Sequence, residues 1–345
     1  MGSTFNNSVE CIEGHNAGMP VKVVFLPHVH GKGMVEKKDY CSSTLDHIRK
    51  LLTFEPRSGS NSYGVVVTGP VSESAHFGAV YFDPSGWHDM CGHATIFLSS
   101  LAVQRKLVDA KGKKSVKVKI DTPAGLVTST VFMDKEGEVD HVSLENVPSF
   151  KLKDMTVELK EYGEITFPVI FGGNFYALVD IDQLGIEYGT GTLKKFVDIT
   201  KEILGKIDNH AIRHPVDHDV QGLYGVRFHS YKDREHRIVN GPLMFGTKDR
   251  VSIDRSPSGT GSSAHLAYLY FEREEIGLNE EARFLSAIGT EFGCTASRET
   301  NVGPHKAIIP VVSTVDRGCF ITAFSNYVLD NDDPLELGFR PIEPL

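Results

Sequence analysis

Alternating hydrophobic and polar positions run through the first half of the chain and predict a series of short β-strands. Apolar and β-branched residues recur with the two-residue period of a half-buried strand, and turn-forming residues separate the segments. The predicted strands are Val21–Leu26, Tyr63–Val67, Gly78–Phe82, Val116–Ile120, Val127–Phe132 and His141–Leu144. Short strands joined by turns predict a sheet, against which helices must bury their apolar faces.

Two segments with a helical period interrupt these strands. Tyr40–Leu52 carries apolar residues at helical spacing and ends before Pro56, which predicts a half-buried surface helix. A second helix is predicted to begin at Cys91 and to end near Leu107. This second segment is apolar on nearly every side, so we expect it to lie inside a domain.

The second half of the chain repeats this order of elements. Its predicted strands and outer helix are Ile165–Phe171, Tyr176–Val179, Leu193–Ile207 (the helix), Gly222–Phe228 and Val251–Ile253. After a glycine-bounded turn at Ser258, residues 263–272 again predict a buried helix. The repeat predicts an α+β protein of two similar lobes, each a curved, mostly antiparallel sheet wrapped around a central helix.

The predicted lobe boundary lies at the turn-forming segment Val147-Pro148-Ser149. Residues 1–147 would form the N-terminal lobe, which carries Cys91. Residues 148–345 would form the C-terminal lobe, which carries Ser258. Packing of its last segment on the N-terminal lobe stays open. A chain of 345 residues is long enough for two such cores.

Charge and composition favour a small-molecule ligand. The formal net charge of −9 and the pI of about 5.9 argue against a nucleic-acid or anionic-membrane partner. No apolar run approaches the roughly 18 residues of a membrane span, and the N-terminus lacks the basic and apolar regions of a targeting segment. We therefore expect a cytoplasmic protein, and a homodimer stays open as its quaternary state.

Neither a disulfide framework nor a metal site is indicated. The five cysteines are scattered, odd in number and without C-x-x-C spacing, which fits a reducing compartment. His210, His214 and His218 have a spacing of four, but Pro215 interrupts a continuous helix face and no carboxylate completes a zinc motif. We predict surface histidines and no metal.

The two glycine-bounded turns are the candidates for chemistry. If both predicted helices aim their N-termini into one cleft, unpaired backbone N–H groups there can hold a carboxylate and stabilise the charge that forms when a neighbouring proton leaves. The first turn offers the thiol of Cys91, and the second offers only the hydroxyl of Ser258. A thiol has a reference pKa of about 8.5, which a helix N-terminus or a nearby His can lower, whereas a Ser hydroxyl needs a partner base.

Several segments carry a resemblance to a known family. They are Gly14-His15-x-Ala17-Gly18-x-Pro20, Glu55-Pro56-Arg57, Met90-Cys91-Gly92-His93, Gly172-Gly173-Asn174-Phe175-Tyr176, Asp254-Arg255-Ser256-Pro257-x-Gly259-Thr260-Gly261 and Val328-Leu329-Asp330-x-Asp332-Asp333-Pro334-Leu335. In order and coverage, from about residue 10 to 340, they resemble the proline racemase family.

The resemblance implies a diaminopimelate-epimerase-like fold and catalysis by two opposed acid/base residues without a cofactor, acting on proline or hydroxyproline. It implies that Cys91 and position 258 form the acid/base pair. Gly92, His93, Gly259 and Thr260 match the turns that hold the substrate carboxylate. His93 and Asp254 match residues near the ring nitrogen.

Position 258 departs from the usual pattern, in which racemases and 4-hydroxyproline epimerases carry Cys and 3-hydroxyproline dehydratases carry Thr. Because racemisation needs two groups that alternate between acid and base, Ser258 fits it poorly. Dehydration needs one base for the α-proton, so the expected activity is that of a trans-3-hydroxy-L-proline dehydratase.

Three alternatives stay open at this point. The chain could be a proline racemase or a 4-hydroxyproline 2-epimerase, natural or as a Cys-to-Ser variant. It could instead be a non-catalytic imino-acid binding protein. Asp254 and Ser258 could also serve as capping residues of their turn, a role that is compatible with function.

Overall fold

A computed structural model of the chain describes residues 8–340, except residues 60, 219, 316 and 331. Its backbone contacts divide the chain into two compact units. The first contains the chain up to Ser143 together with the segment after Val315, and the second contains Leu144–Val315. Both units combine strands with helices, which confirms the α+β class.

The elements are labelled here in chain order. The strands are β1 (Ser8–Asn16), β2 (Met19–Phe25), β3 (Tyr63–Thr68), β4 (Phe77–Asp83), β5 (Gly86–His88), β6 (Ser115–Thr122), β7 (Gly125–Met133), β8 (Val139–Glu145), β9 (Phe150–Leu159), β10 (Gly163–Phe171), β11 (Phe175–Asp180), β12 (Leu223–Asp233), β13 (Ile238–Asn240), β14 (Leu243–Gly246), β15 (Val251–Ile253), β16 (Glu281–Leu285), β17 (Glu291–Val302), β18 (His305–Thr314) and β19 (Cys319–Val328). The α-helices are α1 (Met34–Thr44), α2 (Asp46–Thr53), α3 (Gly92–Gln104), α4 (Leu193–Lys206) and α5 (Gly259–Phe271).

The first unit is built around α3. Strand β1 pairs antiparallel with both β2 and β19, and β2 pairs parallel with β3. Antiparallel pairs also join β3 to β4 and β6 to β7. Helix α3 packs against β1, β2, β3, β7 and β19, and all its residues from Ala94 to Ala102 are buried. The predicted central helix of this lobe is confirmed.

The second unit places α5 in the equivalent position. Strands β9, β10 and β11 pair antiparallel in sequence, and β11 pairs parallel with β12. Strands β16, β17 and β18 form an antiparallel series. Helix α5 packs against β9, β10, β11, β17 and β18 and is buried along most of its length. Helix α4 packs against β9, β12, β14 and β15 and closes the apolar core that contains Phe167, Phe196 and Phe228.

One predicted element is wrong in its bounds. The segment predicted as a single helix, Tyr40–Leu52, contains parts of two helices, α1 and α2. Leu45 separates them with φ −108° and ψ 13°. The second helix restarts at Asp46, whose carboxylate accepts hydrogen bonds from Arg49 Nε at 2.6 Å and Trp87 Nε1 at 3.1 Å. The bond from Arg49 within α2 and the tertiary bond from Trp87 favour a new helix start at Asp46 over a continuous helix.

Among the described residues, no helix is both long and apolar enough to span a lipid bilayer. Phe77, Tyr81 and Phe175 are buried, with relative exposures of 7%, 1% and 1%, and belong to the packing of their strands.

Candidate active site

Cys91 is the accessible thiol of this protein. It is the N-cap of α3, with extended φ −144° and ψ 113°, and its carbonyl accepts a hydrogen bond from Thr95 N–H at 2.9 Å. Its side chain does not cap the helix and is half-buried. The other four cysteines are buried, and burial raises the pKa of each; for Cys11, Cys41 and Cys319 it reaches about 12. A thiol at a helix N-terminus lies where the helix dipole stabilises a thiolate.

His93 lies beside this thiol. Its Nδ1 is 3.4 Å from Cys91 Sγ and its Nε2 is 3.8 Å away. The imidazole packs edge-on against the ring of Tyr63, with centroids 4.6 Å apart. Burial lowers the pKa of His93 to about 4, so the ring is neutral at pH 7. His93 therefore acts on its surroundings as a dipole and not as a cation.

Buried hydroxyl pairs anchor the start of α3. Thr95 Oγ1 lies 2.6 Å from the hydroxyl of Tyr81, and Ser99 Oγ lies 2.6 Å from Ser129 Oγ. Hydrogen-bonded pairs are the form in which polar side chains are tolerated in a core. Gly92 precedes them, and a Cβ at this position would meet no atom within 4 Å. The Tyr81 bond thus fixes the first turn of α3, and open space lies where a side chain at position 92 would be.

In the second unit, a chain of hydrogen bonds shapes the turn before α5. Asp254 Oδ1 accepts bonds from the backbone N–H and the hydroxyl of Ser256, both at 2.9 Å. The oxygen of that hydroxyl accepts from Ser258 N–H at 3.1 Å. Asp254 therefore does cap this turn, the structural role considered for it above. The segment from Asp254 to Ser258 is called the Ser258 turn below.

Ser258 is the N-cap of α5 and has an unusual backbone. Its Oγ accepts a hydrogen bond from Gly261 N–H at 3.1 Å, and it is only 6% exposed. Its φ of +66° with ψ 117° lies in a region that side-chain-bearing residues rarely adopt. Such strain persists only where surrounding contacts impose it, and it clusters at functional sites. The strain at Ser258 is a structural reason, independent of any resemblance, to consider this turn functional.

Tyr176 holds the first turn of α5 and had no role in the sequence-based prediction. Its hydroxyl lies 2.6 Å from Thr260 Oγ1. Burial raises the pKa of Tyr176 to about 12, so it is a neutral donor or acceptor.

Gly259, the remaining predicted residue, has open space where a Cβ would be, and its carbonyl accepts a bond from Ser263 Oγ at 2.7 Å.

The Gly172-Gly173 pair lies directly against α5. A Cβ on Gly172 would be 2.3 Å from the Thr260 carbonyl oxygen and 2.5 Å from Ala264 N. Asn146 Nδ2 donates to the Gly172 carbonyl at 2.9 Å and to Ser263 Oγ at 2.8 Å. Gly172 is therefore needed for a close backbone approach.

Arg227 is a second residue that the sequence analysis missed. It is 1% exposed, and its Nη1 donates to the Pro257 carbonyl at 2.7 Å. The available signal was an arginine within the apolar first part of β12, Leu223–Phe228.

Asp254 combines burial with nearby donors and charge. Burial raises its pKa to about 6, against the opposing effects of the Ser256 hydrogen bonds and the Arg227 charge. A carboxyl group with a pKa near neutrality is suited to proton chemistry or to pairing with a cationic ligand.

The structure thus brings the predicted site residues into two groups. Cys91, Gly92 and His93 open α3 in the first unit, and Asp254, Ser258, Gly259 and Thr260 form the turn and first residues of α5 in the second. That both groups act on one substrate stays a prediction. His210 and His218 are exposed and His214 is half-buried, outside both groups.

Comparisons with known proteins give one family. The family model described as proline racemase matches residues 11–340. A proline racemase from Acetoanaerobium sticklandii is 31% identical, covering 97% of this chain and 99% of its own. A trans-3-hydroxy-L-proline dehydratase from Bacillus thuringiensis subsp. konkukian is also 31% identical, covering 95% of this chain and 96% of its own. A solved hydroxyproline epimerase from Agrobacterium vitis, with bound trans-4-hydroxy-L-proline, superposes with a TM-score of 0.83 at 26% identity, covering 97% of this chain and 96% of its own.

Proposed function

Because the chain belongs to the proline racemase family, we propose that it is an enzyme that dehydrates trans-3-hydroxy-L-proline to pyrroline-2-carboxylate. The observation that carries the proposal is that the central helix of one unit begins at an accessible thiol, Cys91, and the central helix of the other begins at a hydroxyl, Ser258. The relative from Bacillus thuringiensis subsp. konkukian bears the name of this activity.

The state of Ser258 supports a one-base reaction. Racemisation requires that the second group also accept and return a proton at a workable pKa. The Ser258 oxygen already accepts the Gly261 N–H, and its hydroxyl also interacts with Tyr176, so it is a neutral, hydrogen-bonded group. A hydroxyl in that state is suited to donate to a departing oxygen and poorly suited to act as a base.

In the proposed reaction, the Cys91 thiolate removes the α-proton of the imino acid. The electron pair of the broken C–H bond forms the C2=C3 double bond while the C3–O bond breaks. The C3 oxygen leaves as water with a proton that Ser258 donates and regains from solvent, and the Cys91 thiol releases the α-proton to solvent, which restores the thiolate. The remaining enamine tautomerises to the imine, pyrroline-2-carboxylate.

Backbone N–H groups would hold the substrate carboxylate in this scheme. The first N–H groups of a helix have no intrahelical partner, and those of Gly92 and His93 open α3 while those of Gly259 and Thr260 open α5. The same groups stabilise the enediolate-like charge that develops on the carboxylate as the proton leaves. Because His93 is neutral at pH 7, the N-terminus of α3 is the source of positive potential that we assign to thiolate formation.

Racemisation or epimerisation remains the second candidate. A relative named proline racemase is as similar to this chain as the dehydratase is, and a solved hydroxyproline epimerase superposes along nearly its whole length. A protein that binds the imino acid without turnover is the candidate of another class.

One incubation separates these candidates. The protein is mixed in deuterated water with trans-3-hydroxy-L-proline, L-proline or trans-4-hydroxy-L-proline, and imine formation, inversion and α-hydrogen exchange are followed by NMR and polarimetry. Imine from the 3-hydroxy substrate supports the proposal. Inversion of either other substrate overturns it in favour of an epimerase or racemase, and binding without exchange supports the binding protein.

Two variants at position 258 test the role of the hydroxyl. Ser258→Cys supplies a second thiol and is expected to add inversion of proline or 4-hydroxyproline. Ser258→Thr retains a hydroxyl and is the matched control, expected to dehydrate without inversion. A Ser258→Cys protein that folds but gains no inversion contradicts the one-base argument.

A further inference from the structure

Arg227 is a buried cation with no carboxylate partner at hydrogen-bond distance among the described residues. Its Nη1 donates to the Pro257 carbonyl at 2.7 Å, while its buried Nε and Nη2 have no hydrogen-bond partner in the part of the chain that the structure describes. The guanidinium also lies over the ring of Phe284, 5.3 Å from its centroid. Burying a charge costs several kcal/mol unless it is well paired, so such a residue calls for an explanation other than stability.

Arg227 connects to both ends of the Ser258 turn. Leu243 of β14 is its cross-strand partner, and the Leu243 carbonyl accepts a hydrogen bond from Asp254 N–H at 2.9 Å. At the other end, the Arg227 side chain holds the carbonyl of Pro257, the residue before Ser258. The strained backbone of Ser258 therefore follows directly on a peptide group that Arg227 fixes.

We propose that Arg227 is a positioning residue that fixes the Ser258 turn through the Pro257 carbonyl and whose charge keeps the buried Asp254 carboxylate ionised. The inference rests on the proposed function and on the position near the substrate ring nitrogen that the family resemblance implies for Asp254. An ionised Asp254 at that position accepts a hydrogen bond from the protonated nitrogen.

The charged groups around Asp254 determine the sign of the effect. Arg227 and Arg255 interact with the carboxylate favourably, and a deprotonated Tyr176 would oppose it. Because the pKa of Tyr176 is raised to about 12, it carries no charge at neutral pH. The two arginines are thus the charges that offset the burial of Asp254.

The groups around Arg227 bring no competing charge near pH 7. They are Cys294, Tyr188, His229 and His265. Burial raises the pKa of Cys294 and Tyr188 and lowers that of both histidines, so all four are neutral. Removing the charge of Arg227 therefore changes the field at Asp254 without a compensating change of charge.

The pH range in which Asp254 is ionised follows from this arrangement. Burial raises its pKa to about 6, and the Arg227 charge limits the rise. Without that charge we expect the pKa of Asp254 to move up by about one unit or more, the usual effect of an adjacent opposite charge. About half or more of the Asp254 carboxyl groups would then be protonated at pH 7, and the protonated form cannot accept from a cationic ring nitrogen in the same way.

The test compares Arg227→Met with Arg227→Lys. The methionine variant removes charge and hydrogen bond, and the Pro257 carbonyl retains the bond from Ser262 Oγ at 2.8 Å, which favours folding. The lysine variant keeps the charge. The titration of Asp254 is followed by its carboxyl ¹³C resonance, assigned by its absence in Asp254→Asn. We expect the midpoint to rise by about one pH unit in Arg227→Met and by clearly less in Arg227→Lys.

Activity gives the second measurement. The acid limb of kcat/KM against pH is expected to move upward together with the Asp254 midpoint in Arg227→Met. In the Asp254→Asn background, Arg227→Met should cause no further shift, because the titrating group is absent. Arg49→Met is the matched control: Arg49 is also buried and donates to the Pro84 carbonyl at 2.9 Å, but it lies in the first unit. That variant should leave both pH profiles in place.

An unchanged Asp254 midpoint in a folded Arg227→Met protein overturns the inference. The NMR titration does not depend on turnover, so it is decided separately from the proposed function. Absence of imine with a shifted midpoint would overturn the dehydratase alone, and imine formation with an unshifted midpoint would overturn the role of Arg227 alone.

Discussion

The thiol sulfur of Cys91 lies 3.4 Å from Nδ1 of His93, and burial lowers the pKa of that imidazole to about 4. In an imidazolium–thiolate pair the cation lowers the pKa of the thiol. A neutral His93 cannot supply that charge at pH 7. In the proposed reaction, thiolate stabilisation is therefore the role of the N-terminus of α3, and His93 is a polar neighbour.

Selective alkylation is the first prediction. Under native conditions iodoacetamide should modify Cys91 well before the other cysteines, which are buried and whose pKa values burial raises. Replacement of His93 by Gln should change the rate at pH 7 little, since no cation is removed. Peptide mass spectrometry measures both results, with urea-unfolded protein as the control in which all five cysteines react. A large loss of rate in His93→Gln would show that His93 does activate the thiol.

The cap at Ser258 gives a second prediction. Ser258→Ala loses the bond to Gly261 N–H and keeps a Cβ at φ +66°, so the free energy of unfolding should fall by about 1 kcal/mol. Ser258→Gly loses the same bond, but glycine tolerates positive φ, so its free energy of unfolding should fall by only about a few tenths of a kcal/mol. Urea unfolding measures the difference. Ser43→Ala, at an exposed position of α1, should stay within about 0.5 kcal/mol of the parent. Equal losses at Ala and Gly would contradict the strain at this residue.

The two central helices could be predicted because their sequences are apolar on almost every side. A helix such as α3, apolar on almost every side, has to be buried, and its composition alone indicates this.

Strands β17, β18 and β19 were missed. Much of β17 is exposed or half-exposed from Ser297 onward, and β19 pairs with β1 at the opposite end of the chain. Exposure on both faces weakens the alternating pattern on which strand prediction depends.

The site residues also divide into those with a local sequence signal and those whose contacts depend on tertiary packing. Cys91 and Ser258 could be named because each stands in a local, glycine-bounded turn. The parts played by Tyr176 and Arg227 could not be found, because their partners Thr260 and Pro257 are 84 and 30 positions away along the chain. Hydrogen bonds between distant segments are set by tertiary packing and leave no spacing to recognise.

The close approach at Gly172 gives a third prediction. In Gly172→Ala the added Cβ would meet backbone atoms of α5 at 2.3 and 2.5 Å, which no side-chain rotation can relieve. Overpacking of this kind costs about 1–3 kcal/mol, and here it also displaces the first turn of α5, so activity should fall with stability. Gly189→Ala is the control, since its Cβ would meet nothing within 4 Å. Thermal unfolding and turnover measure both variants, and equal behaviour would contradict the close approach.

Acid sensitivity is the fourth prediction, and it depends on two buried histidines in the second unit. Burial lowers the pKa of His229 to about 3 and that of His265 well below 6.5. The unfolded chain therefore binds protons at these sites that the folded protein excludes, so stability is present above pH 6.5 and is lost as the pH falls below it. Each histidine contributes a slope of about 1.4 kcal/mol per pH unit in that window. Asp254 acts in the opposite direction between pH 3.8 and about 6, because its folded pKa is raised.

The net effect is a loss of stability below pH 6.5, which Asp254 offsets only in part. Urea unfolding at pH 7, 6 and 5 should show the loss, and His265→Leu should flatten the slope by about 1.4 kcal/mol per pH unit. Leucine removes a ring whose buried Nδ1 has no hydrogen-bond partner among the described residues, so no bond of that atom is lost at pH 7. His210→Leu, at an exposed position, is the control and should keep the parent slope. A His265→Leu protein with the parent slope would show that His265 is protonated in the folded state.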